Sequence, residues 1–113
     1  MNQDRPPSAP LDRLAALHRL LEADPRDTFC LYGIAQEHAR RGDVVNACAF
    51  YDRVIEIEPT HAYAFFHKAK ALEAAGRVDA ALETLRLGLA AAKALKDPKA
   101  INELAGYLDE LDG

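Results

Sequence analysis

Apolar side chains recur every three or four positions along most of the chain, as at Leu14, Leu17 and Leu21. This spacing places them on one face of an α-helix, whereas a half-buried strand would alternate at every second position. Gly42 and Gly76 each follow such a segment, where a glycine in the left-handed conformation can end a helix. The pattern therefore predicts helices and no strands.

Helix starts are marked by the pairs Asp24-Pro25, Glu58-Pro59 and Asp97-Pro98, because proline is tolerated in a first turn and aspartate can cap it. Together with the apolar spacing, these marks predict six helices. The connections are two to four residues long, so successive helices are expected to be antiparallel. The predicted ranges are 11–23, 27–41, 44–57, 61–75, 78–95 and 98–111.

The chain also matches itself when it is shifted by 34 residues. Aromatic residues then meet aromatic residues, small residues meet small ones, and the glycines coincide. An internal period of this length indicates stacked copies of one helix-turn-helix unit. The matching pairs include Pro25 with Pro59, Phe29 with Tyr63, Tyr32 with Phe66, Gly42 with Gly76, Ala47 with Ala81, and Tyr51 with Leu85.

These positions resemble the pattern of the tetratricopeptide repeat (TPR) family. The first unit matches with Leu31, Ile34-Ala35, Gly42, Ala47, Tyr51 and Pro59, and the second with Phe65, Ala69, Leu72, Gly76, Ala81, Leu85 and Gly88. The resemblance implies an all-α, right-handed α-solenoid of two helix hairpins, over about residues 28–61 and 62–95. Two positions depart from the pattern, since Lys93 replaces the usual exit proline and Lys68 stands at an apolar position.

The remaining two helices are expected to close the ends of the solenoid. Helix 11–23 aligns with the second helix of a repeat but has Arg13 where the repeats have Ala47, so it is interpreted as an N-terminal half-repeat. Helix 98–111 carries an apolar stripe that includes Ile101, Leu104 and Leu108, typical of a capping helix. Residues 1–10 are expected to form a flexible tail before a single domain at 11–113.

Composition agrees with this fold and excludes several functions. The 113 residues include 22 Ala and 15 Leu but only 4 Val and 4 Ile, which favours helix over strand. A net charge of −4 without a basic block argues against nucleic-acid binding. The absence of an apolar leader or of a membrane-length apolar run predicts a cytoplasmic protein without membrane contact. Cys30 and Cys48 are expected to be buried, reduced thiols.

The sequence shows no catalytic, phosphate-binding or metal-binding motif, so we predict neither enzymatic activity nor a cofactor. No two histidines are four residues apart, as a helical metal site would require. His61 and His67 are expected to point in different directions, and His38 is interpreted as a partly buried histidine with its hydrogen bonds satisfied.

In TPR arrays the first helices of the repeats line a concave groove that binds peptides or helices. The resemblance thus implies a groove with four aromatic residues on an open face, a feature typical of contact surfaces. The alternative is that the end helices or the proline-rich tail cover these rings. The predicted partner-binding residues are Phe29, Tyr32, Gln36, Arg40, Tyr63, Phe66, His67 and Lys70.

Some TPR domains bind the acidic tails of heat-shock chaperones through a clamp of Lys, Asn and Arg residues. Here Tyr32, Gln36, Tyr63 and His67 stand at those positions, which disfavours such a receptor. The sequence therefore predicts a non-catalytic protein–protein interaction module or adaptor with a protein or peptide partner. The alternative is a homo-oligomeric assembly protein that uses the groove or an end helix, so monomer and homodimer both stay open.

Overall fold

The structure is a computed structural model that describes residues 10–113, all of whose regular elements are α-helices. The six predicted helices are confirmed, and each boundary lies within one residue of the prediction. The first helix already includes Pro10, and the rest of the predicted tail lies outside the described residues. The helices are α1 (Pro10–Ala23), α2 (Thr28–Arg40), α3 (Val44–Ile57), α4 (Ala62–Ala74), α5 (Val78–Leu95) and α6 (Pro98–Asp112).

Local chemistry explains where several helices begin. The carboxylate of Asp27 accepts hydrogen bonds from the backbone N–H groups of Phe29 and Cys30 at the start of α2. Asp43 and Asp97 cap α3 and α6 in the same way. These contacts satisfy backbone donors that have no partner inside the helix.

The turns within the two hairpins depend on glycine. Gly42 follows α2 with φ 76° and Gly76 follows α4 with φ 79°, as the sequence predicts. Residues that carry a side chain rarely adopt this left-handed backbone conformation, so glycine closes both hairpins at little cost. Helix α5 ends differently, at Lys96 with φ 56°. It continues through Leu95, as expected from the lysine at the exit-proline position.

Consecutive helices pack against one another and build two apolar clusters. The first cluster joins α1, α2 and α3 around Leu31, Ile34 and Tyr51. The second joins α4, α5 and α6 around Leu85 and Leu104. Because each cluster includes one end helix, both predicted capping helices contribute buried side chains to the solenoid.

Alanines make the close helix contacts that the repeat pattern predicts. Ala35, Ala47, Ala69 and Ala81 have no solvent-exposed surface at all. Lys68, which the sequence places at an apolar position, instead extends its ammonium group to Asp52, with an Nζ–Oδ1 distance of 2.6 Å. Its side chain is 23% exposed, so the charge stays at the edge of the α3–α4 contact.

Candidate functional site

The first helices of the hairpins, α2 and α4, together with α6 border two neighbouring pockets. The α4–α6 pocket has a volume of 670 Å³, and the α2–α4 pocket, which α1 closes at one side, has 380 Å³. His67 and Lys70 line both pockets. The two cavities therefore meet at α4, and together we call them the groove.

Aromatic rings pack against one another along the groove, most of them edge to face. The ring centroid of Tyr32 lies 5.8 Å from that of Tyr51 and 5.9 Å from that of His67. Phe66 continues the series, 5.2 Å from His67 and 5.3 Å from Tyr107. These separations are those of favourable aromatic pairs, so the rings hold one another in place across α2, α4 and α6.

Two tyrosine hydroxyl groups tie α4 to α6. Tyr63 donates a hydrogen bond to Glu103 with an O–O distance of 2.5 Å, and Tyr107 donates one to Glu73. The hydrogen bond to Glu103, with some burial, raises the pKa of Tyr63 to about 12. Burial and the bond to Glu73 likewise raise the pKa of Tyr107. Both hydroxyl groups therefore stay protonated and act as donors near neutral pH.

Lys70 places a cation on the aromatic wall of the α4–α6 pocket. Its Nζ atom lies 5.7 Å from the ring centroid of Phe66 and 5.4 Å from that of Tyr107. Both distances are within the range of cation–π attraction. The pair of rings thus already accommodates one ammonium group of this chain.

Glu37 is a buried carboxylate beside the α2–α4 pocket, and its side chain is only 2% exposed. Its Oε1 atom lies 3.2 Å from Arg13 Nε and 3.2 Å from Arg40 Nη1. Its Oε2 atom accepts no hydrogen bond from any residue within 10–113. The carboxylate holds both guanidinium groups at the pocket, and both arginine side chains remain more than half exposed.

The predicted groove residues are only partly brought together. Gln36, Arg40, Tyr63, Phe66, His67 and Lys70 line the pockets, and Tyr32 contacts His67 from the side of α2. Phe29 lines neither pocket and is 78% exposed at the first turn of α2. His61 and His67 both contact the ring of Tyr32, at centroid distances of 5.2 and 5.9 Å.

Sequence reasoning did not place Glu37 or Tyr107 in the site. A signal for Glu37 exists, because the 34-residue period aligns it with Ala71, a partly buried position that also lines the α2–α4 pocket. The same shift aligns Tyr107 with Glu73, which places it on the groove side of α6. The signal for Glu37 lies within the two repeats, and the signal for Tyr107 appears when the period is extended to α6.

The structure offers little for thiol or metal chemistry. Cys30 is buried and Cys48 half-buried, they belong to different clusters, and both thiols are free. Burial raises the pKa of each thiol, which makes them poor nucleophiles. In the described part of the chain, no three His, Cys, Asp or Glu side chains lie close enough to hold a metal ion.

The other histidine singled out by the sequence, His38, is half-buried as predicted. Its ring stacks on Phe50 at a centroid distance of 5.8 Å, and its Nδ1 atom lies 3.5 Å from a carboxylate oxygen of Asp43. This environment is structural and lies outside the two pockets. Separately, none of the helices found in 10–113 combines the length and the apolar character needed to cross a bilayer.

Several known structures are similar to this fold. A tetratricopeptide repeat domain protein from Salinibacter ruber, solved by NMR, has a TM-score of 0.73 and 29% identity; the match covers 80% of this chain and 91% of that one. The TPR2B domain of yeast Sti1, solved in a complex with pHsp70, has a TM-score of 0.82 at 20% identity; the match covers 91% of this chain and 82% of that chain. The second likeness concerns the fold alone.

Sequence comparison leads to the same family. An uncharacterised protein from Methanocaldococcus jannaschii is 38% identical over 63 residues, which is 56% of this chain and 73% of that protein. The family model described as tetratricopeptide repeat matches residues 38–105, more than half of the chain. TPR domains are generally non-catalytic and serve protein–protein interaction. On this match, and on six helices that repeat with a 34-residue period, the chain belongs to the tetratricopeptide repeat family.

Proposed function

We propose that this chain is a non-catalytic interaction module that holds a peptide or a helix of a partner protein in the groove between α2, α4 and α6. The observation that carries the proposal is the pair of adjoining pockets that share His67 and Lys70. A single extended or helical segment that crosses α4 would enter both pockets at once.

The energetic basis is the aromatic surface between the pockets. Tyr32, Tyr63, Phe66 and Tyr107 are each only half-buried, so a partner would remove further apolar area from water. Burial contributes about 25 cal/mol per Å² of apolar surface, and aromatic anchors commonly dominate binding energy. Because neighbouring rings and hydroxyl bonds already fix these side chains, little conformational entropy is lost when a partner binds.

Phe29 extends this surface at one edge. It occupies the position of Tyr63 one repeat earlier and is 78% exposed. A partner longer than the two pockets would cover it by continuing past the first turn of α2. We therefore keep Phe29 as a peripheral contact and the seven other predicted residues as the central ones.

We place the module, at residues 11–113, in the cytoplasm, because two free thiols suit a reducing compartment. The two cysteines lie in separate clusters and do not pair with each other. The expected working form is a monomer of 12.4 kDa whose groove faces solvent.

The direct test selects binders from a display library of random peptides and maps them by NMR on the labelled protein. We expect enriched peptides to shift the amides of α2, α4 and α6. The double variant Tyr32→Ala with Phe66→Ala should lose binding at least tenfold. The single variant Lys70→Ala removes only an exposed side chain, should also weaken binding, and guards against loss of fold.

The matched control is Leu87→Ala on α5, an exposed apolar residue that lines neither pocket. It should bind the selected peptides like the unmodified protein. Peptides that map to another face would contradict the proposal. So would a stable dimer in light scattering that dissociates in the Tyr32→Ala, Phe66→Ala variant, because self-assembly would then occupy the groove.

A further inference from the structure

We infer that the groove recognises a mixed-charge segment, in which an acidic residue enters the α2–α4 pocket and a basic residue enters the α4–α6 pocket. This inference rests on the proposed function and specifies the chemistry of the partner. It follows from opposite charge at the two ends of one groove, together with a cation that already occupies the aromatic wall.

The α2–α4 pocket is positively charged. Its described lining includes three cations, Arg13, Arg40 and Lys70, against the single carboxylate of Glu37. Glu37 is buried and engages both arginines through one oxygen, so it fixes the guanidinium groups and uses up few of their donors. Each arginine keeps several N–H groups for an incoming carboxylate, which guanidinium binds in a planar, two-point contact.

The α4–α6 pocket has the opposite sign. Three carboxylates, Glu73, Glu103 and Glu110, face the single cation Lys70 among its described lining. Hydroxyl groups of Tyr107 and Tyr63 hold Glu73 and Glu103 in place. Fixed carboxylates beside aromatic faces form a suitable environment for a lysine or arginine side chain.

Lys70 shows that the aromatic wall of this pocket suits a cation and already carries one, so the three carboxylates are the groups that would hold the partner's basic side chain. Its ammonium group lies over both Phe66 and Tyr107, at 5.7 and 5.4 Å from the ring centroids. The rings therefore bind a cation even without a partner. Because Lys70 also lines the α2–α4 pocket, it lies between the carboxylate and the ammonium group that we assign to the partner.

Helix spacing sets the distance between the two charges. Packed helices lie about 8–10 Å apart, and the pockets are on either side of α4. A chain in the polyproline II conformation advances about 3.1 Å per residue and completes a turn every three residues, so side chains three positions apart point to the same side; the acidic and basic residues of the partner should therefore be about three positions apart.

The experiment uses five acetylated and amidated hexapeptides of alanine and leucine that differ only at positions 2 and 5. Those positions carry Glu and Lys, Lys and Glu, Glu and Glu, Lys and Lys, or Gln and Gln. Binding to the full chain is measured by NMR titration at low salt, where weak binding is detectable and charge is little screened. We expect the better of the two mixed-charge peptides to bind at least tenfold more tightly than the Glu–Glu, Lys–Lys and Gln–Gln peptides.

Single neutralisations then assign each end. Arg40→Gln should weaken binding of the mixed-charge peptide and of the Glu–Glu peptide but not of the Lys–Lys peptide. Glu110→Gln should weaken binding of the Lys–Lys peptide but not of the Glu–Glu peptide. If Arg40→Gln fails to fold, Gln36→Glu takes its place. The negative charge that it adds to the α2–α4 pocket should weaken binding of the same two peptides. Arg86→Gln and Glu83→Gln, exposed on α5, are the matched controls and should change nothing.

Two outcomes overturn the inference. In one, a uniformly charged or uncharged peptide binds as tightly as the better mixed peptide; in the other, none of the five shifts groove amides. If library peptides still map to the groove in that case, the proposed function stands and only the charge pattern is wrong. If the library also yields no groove binder, both fail.

Discussion

Glu37 and Arg13 form a charged contact at a position where the rest of the solenoid uses alanine. The carboxylate Oε1 atom of Glu37 lies 3.2 Å from Arg13 Nε across the α1–α2 interface. One repeat later the equivalent residues are Ala71 and Ala47, which belong to the α3–α4 contact. An ion pair thus replaces a close alanine contact where the N-terminal helix packs on the first hairpin.

Arg13→Ala should lower the free energy of unfolding by about 1–2 kcal/mol, because it removes a charge-assisted contact to a buried carboxylate that then depends on Arg40 alone. The double variant Arg13→Ala with Glu37→Ala recreates the alanine pair of the next interface. We expect it to lose less than the sum of the two single variants, by about 1 kcal/mol. Urea unfolding of all four proteins measures this coupling, and strict additivity would show that the contact is not energetically important.

The second hairpin exchanges residue sizes between two facing positions. A Cβ atom built on Gly88 would lie 2.5 Å from the Cβ atom of Phe65, closer than two such atoms can approach. The first hairpin has Val54 and Leu31 at these positions, both fully buried. The larger side chain on α4 therefore requires glycine on α5.

Gly88→Ala should destabilise the protein by about 1–3 kcal/mol through overpacking, even though alanine favours helix. Adding Phe65→Leu should recover part of the lost stability, because the double variant is then more like the Leu31 and Val54 pair of the first hairpin. Gly106→Ala on α6 is the matched control, since nothing lies within 4 Å of its added Cβ. That control should gain about 0.5–1 kcal/mol. Thermal unfolding gives the melting point of each variant, and an unchanged melting point for Gly88→Ala would contradict the close packing of Gly88 against Phe65.

The repeat allowed the fold to be predicted from the sequence because the same small and large residues recur at the same spacing. Ala47, Ala81, Gly42 and Gly76 each act as their counterpart does, so the turn inside each hairpin follows from local rules. The groove was less predictable, because its character depends on which helix lies opposite each repeated residue. Whether Phe29 joins the aromatic surface as Tyr63 does depends on which helix lies opposite, and only Tyr63 has Glu103 of α6 as a partner.

Small residues at the helix contacts should tolerate no enlargement. Ala47 and Ala81 have no exposed surface, so Ala47→Leu or Ala81→Leu should each cost about 1–3 kcal/mol by forcing helices apart. Ala49→Leu and Ala80→Leu add the same atoms at exposed positions of α3 and α5 and serve as controls. Melting points followed by circular dichroism should fall for the first two and stay nearly constant for the controls. Equal shifts in both sets would show that these alanines are not at close contacts.

His67 should make the stability of the protein depend on pH. Burial, followed by the charges of Lys70 and His61, lowers the pKa of His67 from its usual value of 6.5. Below that value the unfolded chain binds a proton that the folded chain does not. The free energy of unfolding should therefore decrease as the pH falls through 6.5, and the contribution of His67 should be complete above it.

Two measurements test this dependence. The imidazole resonances of His67, followed by NMR, should titrate below pH 6.5, and Lys70→Gln should move that midpoint upward by removing a neighbouring positive charge. In urea unfolding at pH 7.5 and 5.5, His67→Gln should lose less stability on acidification than the unmodified protein, because glutamine has no proton to gain. A midpoint at or above 6.5 would mean that Tyr32 and Phe66 do not desolvate the His67 ring, so these side chains could not be packed closely against it.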